Sequence, residues 1–126
     1  MKPAALKKIL IVEDDLAIRR LLEVCLRSLP AAQIAVGEGQ AALDLLRREK
    51  VDLVVTDLMM AGTGGFDIVR AMRADSALHE IPVVLLSCLG RPSLPTEAKE
   101  AGVQEFFMKP FSPSQLLGAA RRLLAL

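Results

Sequence analysis

The stretch Ile9-Leu10-Ile11-Val12-Glu13-Asp14-Asp15 joins an apolar run directly to three acidic residues. Its four apolar residues show no polar alternation, which is typical of a strand that is buried on both faces. Strands of this kind occur in parallel sheets that helices cover on both sides. The stretch therefore predicts an α/β fold with acidic groups at the end of its first strand.

A regular alternation of helix and strand patterns continues from this stretch. Apolar residues recur at helical spacing from Ile18 to Leu29, with Asp15 as a candidate N-cap and Pro30 marking the end. Further apolar runs predict strands at residues 33–36, 53–56, 82–86 and 105–108. The second predicted helix has its apolar positions at residues 42–46, and the third covers residues 66–73. The fourth covers residues 96–101 and is closed by Gly102. The fifth is capped by Ser112 and has an apolar face at residues 116–124.

Five strand–helix units in series predict one doubly wound α/β domain. Alternating strands and helices form a parallel sheet with helices on both faces and right-handed crossovers. No linker, repeat or low-complexity segment interrupts the 126 residues. We therefore expect a single domain over residues 1–126, with its core at about residues 8–124.

The composition is ordinary for a soluble globular protein, with 52% apolar residues, 25% charged residues and a net charge of +1. Without a basic field, direct nucleic-acid binding and membrane-surface binding are disfavoured. No apolar stretch approaches the roughly 20 residues that a membrane-spanning helix needs. The apolar run after the positively charged residues 1–8 stops at Glu13, too early for a signal peptide. We expect a cytoplasmic protein.

The two cysteines and the one histidine form no recognisable metal or catalytic pattern. Cys25 and Cys88 are far apart, and His79 is the only histidine. A zinc site and a Ser-His-Asp triad are therefore disfavoured. We expect both cysteines to be reduced, buried thiols that act as small hydrophobic residues.

Polar side chains follow four of the predicted strands, at the point where each strand ends. They are Glu13 and Asp14 after the first strand, Asp57 after the third, Ser87 after the fourth and Lys109 after the fifth. In an open doubly wound sheet, ligands bind at the carboxyl edge of the strands, near the point where strand order reverses. With strand order 2-1-3-4-5, all five side chains would meet at one crevice.

The three carboxylates in this set predict a cation site. They repel one another unless a cation lies among them, and Mg²⁺ is a hard ion that binds carboxylates, waters and phosphate oxygens. A carboxylate can also act as a nucleophile and form an aspartyl-phosphate. Asp57 is the candidate nucleophile, because the acidic pair on the first strand is the candidate metal-binding part. Lys109 and Ser87 would stabilise the transferred group. Each residue alone would be an ordinary cap, turn or solvated group.

Four stretches of the sequence carry a resemblance to a known family. They are Ile9-Leu10-Ile11-Val12-Glu13-Asp14-Asp15, Val54-Val55-Thr56-Asp57-Leu58-Met59-Met60, Pro82-Val83-Val84-Leu85-Leu86-Ser87 and Phe106-Phe107-Met108-Lys109-Pro110-Phe111. From about residue 8 to residue 124, the chain resembles the receiver domain of bacterial two-component response regulators, which include the single-domain chemotaxis regulator. The resemblance implies a flavodoxin-like (βα)5 fold with strand order 2-1-3-4-5.

The resemblance implies a phosphoacceptor and a metal site. Asp57 would be the phosphoacceptor and a ligand of Mg²⁺, for which Mn²⁺ would substitute. Asp14 would bind the ion directly, and Glu13 would act through a metal-bound water. The backbone carbonyl of Met59 would be a further ligand, while its side chain would not coordinate.

The resemblance also implies residues that respond to phosphorylation. Ser87 would hydrogen-bond the phosphoryl group, and Lys109 would pair with it. Phe106 would be the switch aromatic that turns inward on activation, although its pattern equally fits a core residue of a strand. The bond between Lys109 and Pro110 would be a cis peptide.

The implied function is phosphorelay signal transduction. A histidine kinase or a histidine phosphotransfer protein would donate the phosphoryl group. A downstream protein would bind the surface of the fourth helix, fifth strand and fifth helix, and a phosphorylation-dependent homodimer is a further implied partner. The domain would catalyse only its own phosphorylation and dephosphorylation. Met59 and Leu89 are apolar and flank the expected water path, which predicts slow self-dephosphorylation.

A loop, a single residue and a longer segment depart from the family pattern. The loop Ala61-Gly62-Thr63-Gly64-Gly65 lacks the usual proline and acidic residue, which should loosen it. Cys88 stands where a small residue, often alanine, is usual, and a redox role for it stays open. The proline-rich segment 89–95 and the short helix after it predict an unusual shape for the signalling surface.

Two other functions remain open on the sequence. One is an interaction module with a receiver fold that no longer uses phosphate, which the five intact site residues disfavour. The other is an Mg²⁺ phosphohydrolase of the haloacid dehalogenase type, in which a second aspartate lies two residues after the nucleophile on the first strand. Asp14 and Asp15 are adjacent and do not fit that spacing. A flavodoxin is disfavoured because no phosphate-binding loop follows the first strand and no Trp or Tyr is present to stack on flavin.

Overall fold

The computed structural model describes residues 6–126, in which five strands alternate with five helices. The predictions for residues 1–5, namely the positively charged start and the N-terminal limit of the domain, lie outside the described residues. None of the helices within 6–126 is long and apolar enough to span a membrane. The elements are β1 (Lys7–Val12), α1 (Leu16–Leu26), β2 (Ala31–Val36), α2 (Gly39–Arg48), β3 (Leu53–Asp57), α3 (Gly65–Arg73), β4 (Val83–Ser87), α4 (Leu94–Ala101), β5 (Glu105–Met108) and α5 (Pro113–Leu123).

The five strands form one parallel sheet in the order β2-β1-β3-β4-β5. The central strand β3 pairs with β1, where Val55 lies opposite Ile11, and with β4, where Asp57 lies opposite Leu86. Every residue of β3 and β4 is buried, which explains their continuous apolar runs. The predicted doubly wound, flavodoxin-like fold is confirmed.

Helices cover both faces of the sheet and enclose two hydrophobic cores. Successive residues of a strand point to opposite faces, so Leu10 packs in one core and Ile11 in the other. The first core contains residues of α2, α3 and α4, including Leu45. The second contains residues of α1 and α5, including Leu116. The apolar helix faces predicted from the periodicity supply these contacts.

Three predicted helix ends are confirmed by their geometry. The Asp15 carboxylate accepts a hydrogen bond from the backbone N–H of Ile18 at 3.1 Å and caps α1. The Ser112 hydroxyl accepts one from the N–H of Gln115 at 3.3 Å and caps α5. Gly102 follows α4 in the left-handed conformation with φ of 96°, as is common after a helix.

The fourth helix begins earlier than predicted, at Leu94 rather than at residue 96. Proline is tolerated in the first turn of a helix, where its missing N–H has no partner to lose. Pro95 therefore did not mark a boundary. The buried side chain of Leu94 packs in the first core and holds this turn against the sheet.

The prediction that both cysteines are buried is wrong for Cys88. Both thiols are free, and Cys25 is half-buried against the second core. Cys88 is exposed because β4 ends at Ser87 and the next residue leaves the sheet.

The left-handed Gly102 leads to a prediction about stability. A Cβ on Gly102 would lie 2.8 Å from Arg73 Nε, and the left-handed conformation costs about 1–2 kcal/mol for a residue with a side chain. We expect Gly102→Ala to lower the free energy of unfolding by at least that amount in urea titrations. Gly118→Ala is the matched control, because Gly118 lies in α5 with nothing within 4 Å of its Cβ position. It should stabilise by about 0.5–1 kcal/mol, and equal effects of the two substitutions would contradict this account.

Candidate functional site

The predicted strand-end residues meet at the carboxyl edge of the sheet. The strands are parallel, so their carboxyl ends lie at the same edge. Glu13 and Asp14 come directly after β1, Asp57 ends β3, Ser87 ends β4 and Lys109 comes directly after β5. The convergence predicted from the sequence is therefore what the fold produces.

The Lys109 ammonium joins two of the carboxylates. Its Nζ lies 2.7 Å from Glu13 Oε1 and 3.0 Å from Asp57 Oδ1. The Glu13 side chain is only 1% exposed and that of Lys109 only 14%. Charges removed from water to this degree are stable only when they are paired and hydrogen-bonded. Lys109 is thus the counter-charge that permits two acidic groups to be buried side by side.

The environment shifts the pKa values of both partners upward. Burial raises the pKa of the Glu13 carboxyl, the hydrogen bond from Lys109 opposes the shift, and the charge of Asp57 adds to it, so that the pKa lies above its ordinary value. Burial lowers the pKa of the Lys109 ammonium, but hydrogen bonds to Glu13 and Asp57 outweigh burial and raise it. Lys109 therefore keeps its positive charge. The negative charge around the buried Glu13 carboxyl favours binding of a proton or a cation there.

The acidic cluster has the donor set of a site for a hard divalent cation. One carboxylate oxygen from each of Glu13, Asp14 and Asp57 lies within 4.8 Å of the others. Asp14 is exposed, so an ion could enter from solvent. Glu13 Oε2 is buried and has no hydrogen-bond partner within residues 6–126. A buried acceptor without a partner is costly, and oxygen ligands of this type suit Mg²⁺.

Ser87 lies at the same edge but bonds to the following loop. Its buried hydroxyl oxygen accepts a hydrogen bond from the backbone N–H of Leu89 at 2.9 Å, and its carbonyl accepts one from the N–H of Lys109 at 2.7 Å. Within the described range the hydroxyl proton has no acceptor.

The two other predicted residues lie in different surroundings. The Met59 side chain is exposed beyond the end of β3. Phe106 is half-buried on β5 and packs against the first core. The peptide bond between Lys109 and Pro110 is cis, as the resemblance implied.

The loop after β3 carries contacts that the sequence pattern did not predict. The N–H of Gly65 donates to the Leu58 carbonyl at 2.9 Å, and the N–H of Gly64 donates to the Asp67 carboxylate at 3.0 Å. A Cβ on Gly65 would lie 2.6 Å from the carbonyl oxygen of Asp57. The close approach of Gly65 to the Asp57 backbone is a packing requirement, because any side chain at residue 65 would collide with that carbonyl oxygen. In the sequence, the glycine itself is the only sign of this contact.

Comparison with known proteins now identifies the family. The model for the response regulator receiver domain matches residues 9–121. The chain belongs to the receiver domain family. It is similar to the probable transcriptional regulator ycf27 of Cyanophora paradoxa, with 35% identity over 94% of the chain and 48% of the relative. It is also similar to the DNA-binding response regulator MtrA of Mycolicibacterium paratuberculosis, with 34% identity over 94% of the chain and 51% of the relative. The chain thus spans about half the length of the curated relatives it matches.

Solved receiver structures share the fold. The chemotaxis protein CheY4 of Vibrio cholerae superposes with a TM-score of 0.85 and 28% identity, covering 94% of this chain and 99% of that one. Response regulators act in two-component phosphorelay signalling with histidine kinases and downstream effectors, and they are generally signalling proteins rather than turnover enzymes. This receiver domain therefore belongs to signal transduction, as predicted.

The paired Lys109 leads to a second prediction. Lys109→Met leaves the buried Glu13 and Asp57 carboxylates without a cation in metal-free buffer, which should lower the free energy of unfolding by about 3–5 kcal/mol. Arg47→Met is the matched control, because the Asp44–Arg47 pair is 58% exposed on both sides and should contribute less than about 1 kcal/mol. Urea unfolding with chelator measures both. Equal losses would show that Lys109 pairing is not what permits the burial.

The same variant should also change the pH dependence of stability. Without Lys109, the pKa of Glu13 rises further, because the hydrogen bond that lowers it is lost. A group with a raised pKa in the folded state stabilises fully below its unfolded pKa, ordinarily 4.5 for Glu, and this stabilisation is lost as the pH rises through the raised value. The unfolding midpoint of Lys109→Met should fall as the pH rises above 4.5, and adding Glu13→Gln should remove most of that slope. An unchanged slope in the double variant would contradict the assignment to Glu13.

Proposed function

We propose that this receiver domain accepts a phosphoryl group on Asp57 from a phosphohistidine of a histidine kinase or a histidine phosphotransfer protein. The observation that carries the proposal is the Lys109 ammonium, held within 3.0 Å of Asp57 and 2.7 Å of the buried Glu13. A cation fixed beside a carboxylate nucleophile can neutralise the charge that arrives with a phosphoryl group. Residues 1–126 would form a single receiver unit acting in the cytoplasm.

Mg²⁺ is the proposed cofactor, with Mn²⁺ as a substitute. Asp14, Asp57 and the Met59 backbone carbonyl would hold it, with Glu13 acting through a water. When bound, it would offset the negative charge of the carboxylates and of the phosphoryl oxygens. The unpartnered Glu13 Oε2 supports this assignment, because a metal-bound water would supply the missing donor.

The chain's own side chains would carry out the transfer. An Asp57 carboxylate oxygen attacks phosphorus in line with the histidine nitrogen. The P–N bond breaks as the P–O bond forms, and the nitrogen keeps the bonding electron pair. The Lys109 ammonium moves its hydrogen bonds from carboxylate to phosphoryl oxygen. The Ser87 hydroxyl would donate a hydrogen bond to another phosphoryl oxygen.

The transferred group would then change a binding surface. Ser87 is tied to the Leu89 N–H at 2.9 Å, so movement of Ser87 toward the phosphoryl group pulls on the loop before α4. Space vacated there would let the half-buried Phe106 turn inward, altering the α4–β5–α5 surface. A downstream protein or a second copy of the chain would bind the altered surface. The domain would catalyse only its own phosphorylation and dephosphorylation.

A further prediction tests phosphorylation directly. Incubation with acetyl phosphate and Mg²⁺ should add one phosphoryl group, measured by intact-protein mass spectrometry. Mn²⁺ should replace Mg²⁺, and chelation should prevent the modification. Asp57→Asn should remain unmodified, because the amide is not nucleophilic. Cys88→Ala is the control for thiol chemistry next to the site and should be modified like the parent. An unmodified parent protein would favour a phosphate-independent interaction module instead.

The last prediction of this subsection concerns the lifetime of the phosphoryl group. The exposed side chains of Met59 and Leu89 are apolar and cannot orient an attacking water. The phosphorylated domain should therefore decay over minutes or longer, and a lifetime of seconds would contradict this. Met59→Gln should shorten the lifetime by supplying a polar group. Val24→Gln is the matched control, since Met59 and Val24 are both 55% exposed, and it should leave the lifetime unchanged.

A further inference from the structure

The guanidinium of Arg19 on α1 contacts the backbone next to the acidic cluster. Its Nη1 donates a hydrogen bond to the Glu13 carbonyl oxygen at 3.3 Å. On the other side of the same residue, the Glu13 N–H donates to the Val36 carbonyl at 3.0 Å. Both backbone polar groups of Glu13 are thus held, one by the end of β2 and the other by Arg19.

Gly37, in the loop after β2, makes room for this contact. A Cβ on Gly37 would lie 2.5 Å from Arg19 Nη1 and 3.8 Å from the Glu13 carbonyl oxygen. The backbone does not require glycine here, because Gly62 and Gly102 are the glycines with positive φ in the described range. A side chain at residue 37 would therefore require the guanidinium of Arg19 to move away from the Glu13 carbonyl.

We propose that Arg19 is a positioning residue for the cation site: its guanidinium fixes the backbone of Glu13 and so orients the Glu13 and Asp14 carboxylates, while Gly37 leaves it the room. The proposal rests on the proposed function only for the identity of the cation as Mg²⁺. Arg19 touches neither the reacting oxygens nor the transferred group.

The role is one of position rather than of charge. The guanidinium donates to a neutral carbonyl oxygen, and the Arg19 side chain is half-buried against two loops. Removing it would free the turn that carries both carboxylates while leaving Lys109 in place.

A double-substitution cycle tests this inference. Mg²⁺ is titrated into the parent, Arg19→Ala, Gly37→Ala and the double variant, and binding is followed by amide NMR. Each single variant should bind Mg²⁺ about 10-fold more weakly, at the lower end of what partners that orient metal ligands contribute. The double variant should bind Mg²⁺ no more weakly than Arg19→Ala, because without the guanidinium the Cβ at residue 37 has no Arg19 side chain to displace. Arg20→Ala, at the exposed neighbouring position on α1, should bind like the parent.

The inference would be overturned if the losses of Mg²⁺ affinity in the two single variants multiplied in the double variant, because the two substitutions would then act independently. Unchanged Mg²⁺ affinity accompanied only by a lower urea midpoint would also overturn it, because this would mean a purely structural role. Amide spectra of the metal-free variants separate this inference from the proposed function. If the parent binds no Mg²⁺, the cofactor assignment fails, yet Arg19→Ala and Gly37→Ala should still displace the Asp14 amide resonance in the same direction. An unmoved resonance would overturn the role of Arg19.

Discussion

The pairing of the half-buried Lys109 ammonium with the buried Glu13 and Asp57 carboxylates is the constraint on which the rest of the site depends. Lys109 follows β5, whereas Asp57 ends β3, and β4 lies between these strands in the sheet. The lysine side chain must therefore cross the end of β4 to reach 3.0 Å from Asp57. The residue at that end is Ser87, which is small and leaves the path open. The strand order, the long side chain of Lys109 and the small side chain of Ser87 together allow one ammonium to pair with two carboxylates.

Under the proposed function, phosphorylation of Asp57 would disturb that charge balance. A phosphoryl group on Asp57 would compete with Glu13 for the same ammonium, since Lys109 contacts both carboxylates. The hydroxyl oxygen of Ser87 already holds the Leu89 N–H, so its response would be transmitted to the backbone before α4. A local exchange of charge partners could thereby bias a larger rearrangement.

Much of the fold and of the site was predictable because both follow from regular patterns. Continuous apolar runs indicated strands buried on two faces, and the parallel order then brought Glu13, Asp57 and Lys109 to one edge. The start of α4 differs from the prediction because a proline such as Pro95 usually marks a helix boundary, whereas the packing of Leu94 in the first core extends the helix through it. The contact of Arg19 with the Glu13 carbonyl was not predictable, since side-chain periodicity carries no information about bonds to distant backbone atoms.

A crystal structure of the protein with Mg²⁺ and beryllofluoride would test the central claim most directly. The account predicts beryllium bonded to a carboxylate oxygen of Asp57, the Lys109 ammonium and the Ser87 hydroxyl on its fluorine atoms, and the metal among Glu13, Asp14 and Asp57. Density for beryllofluoride elsewhere, or Lys109 still bound to both carboxylates beside a modified Asp57, would contradict it.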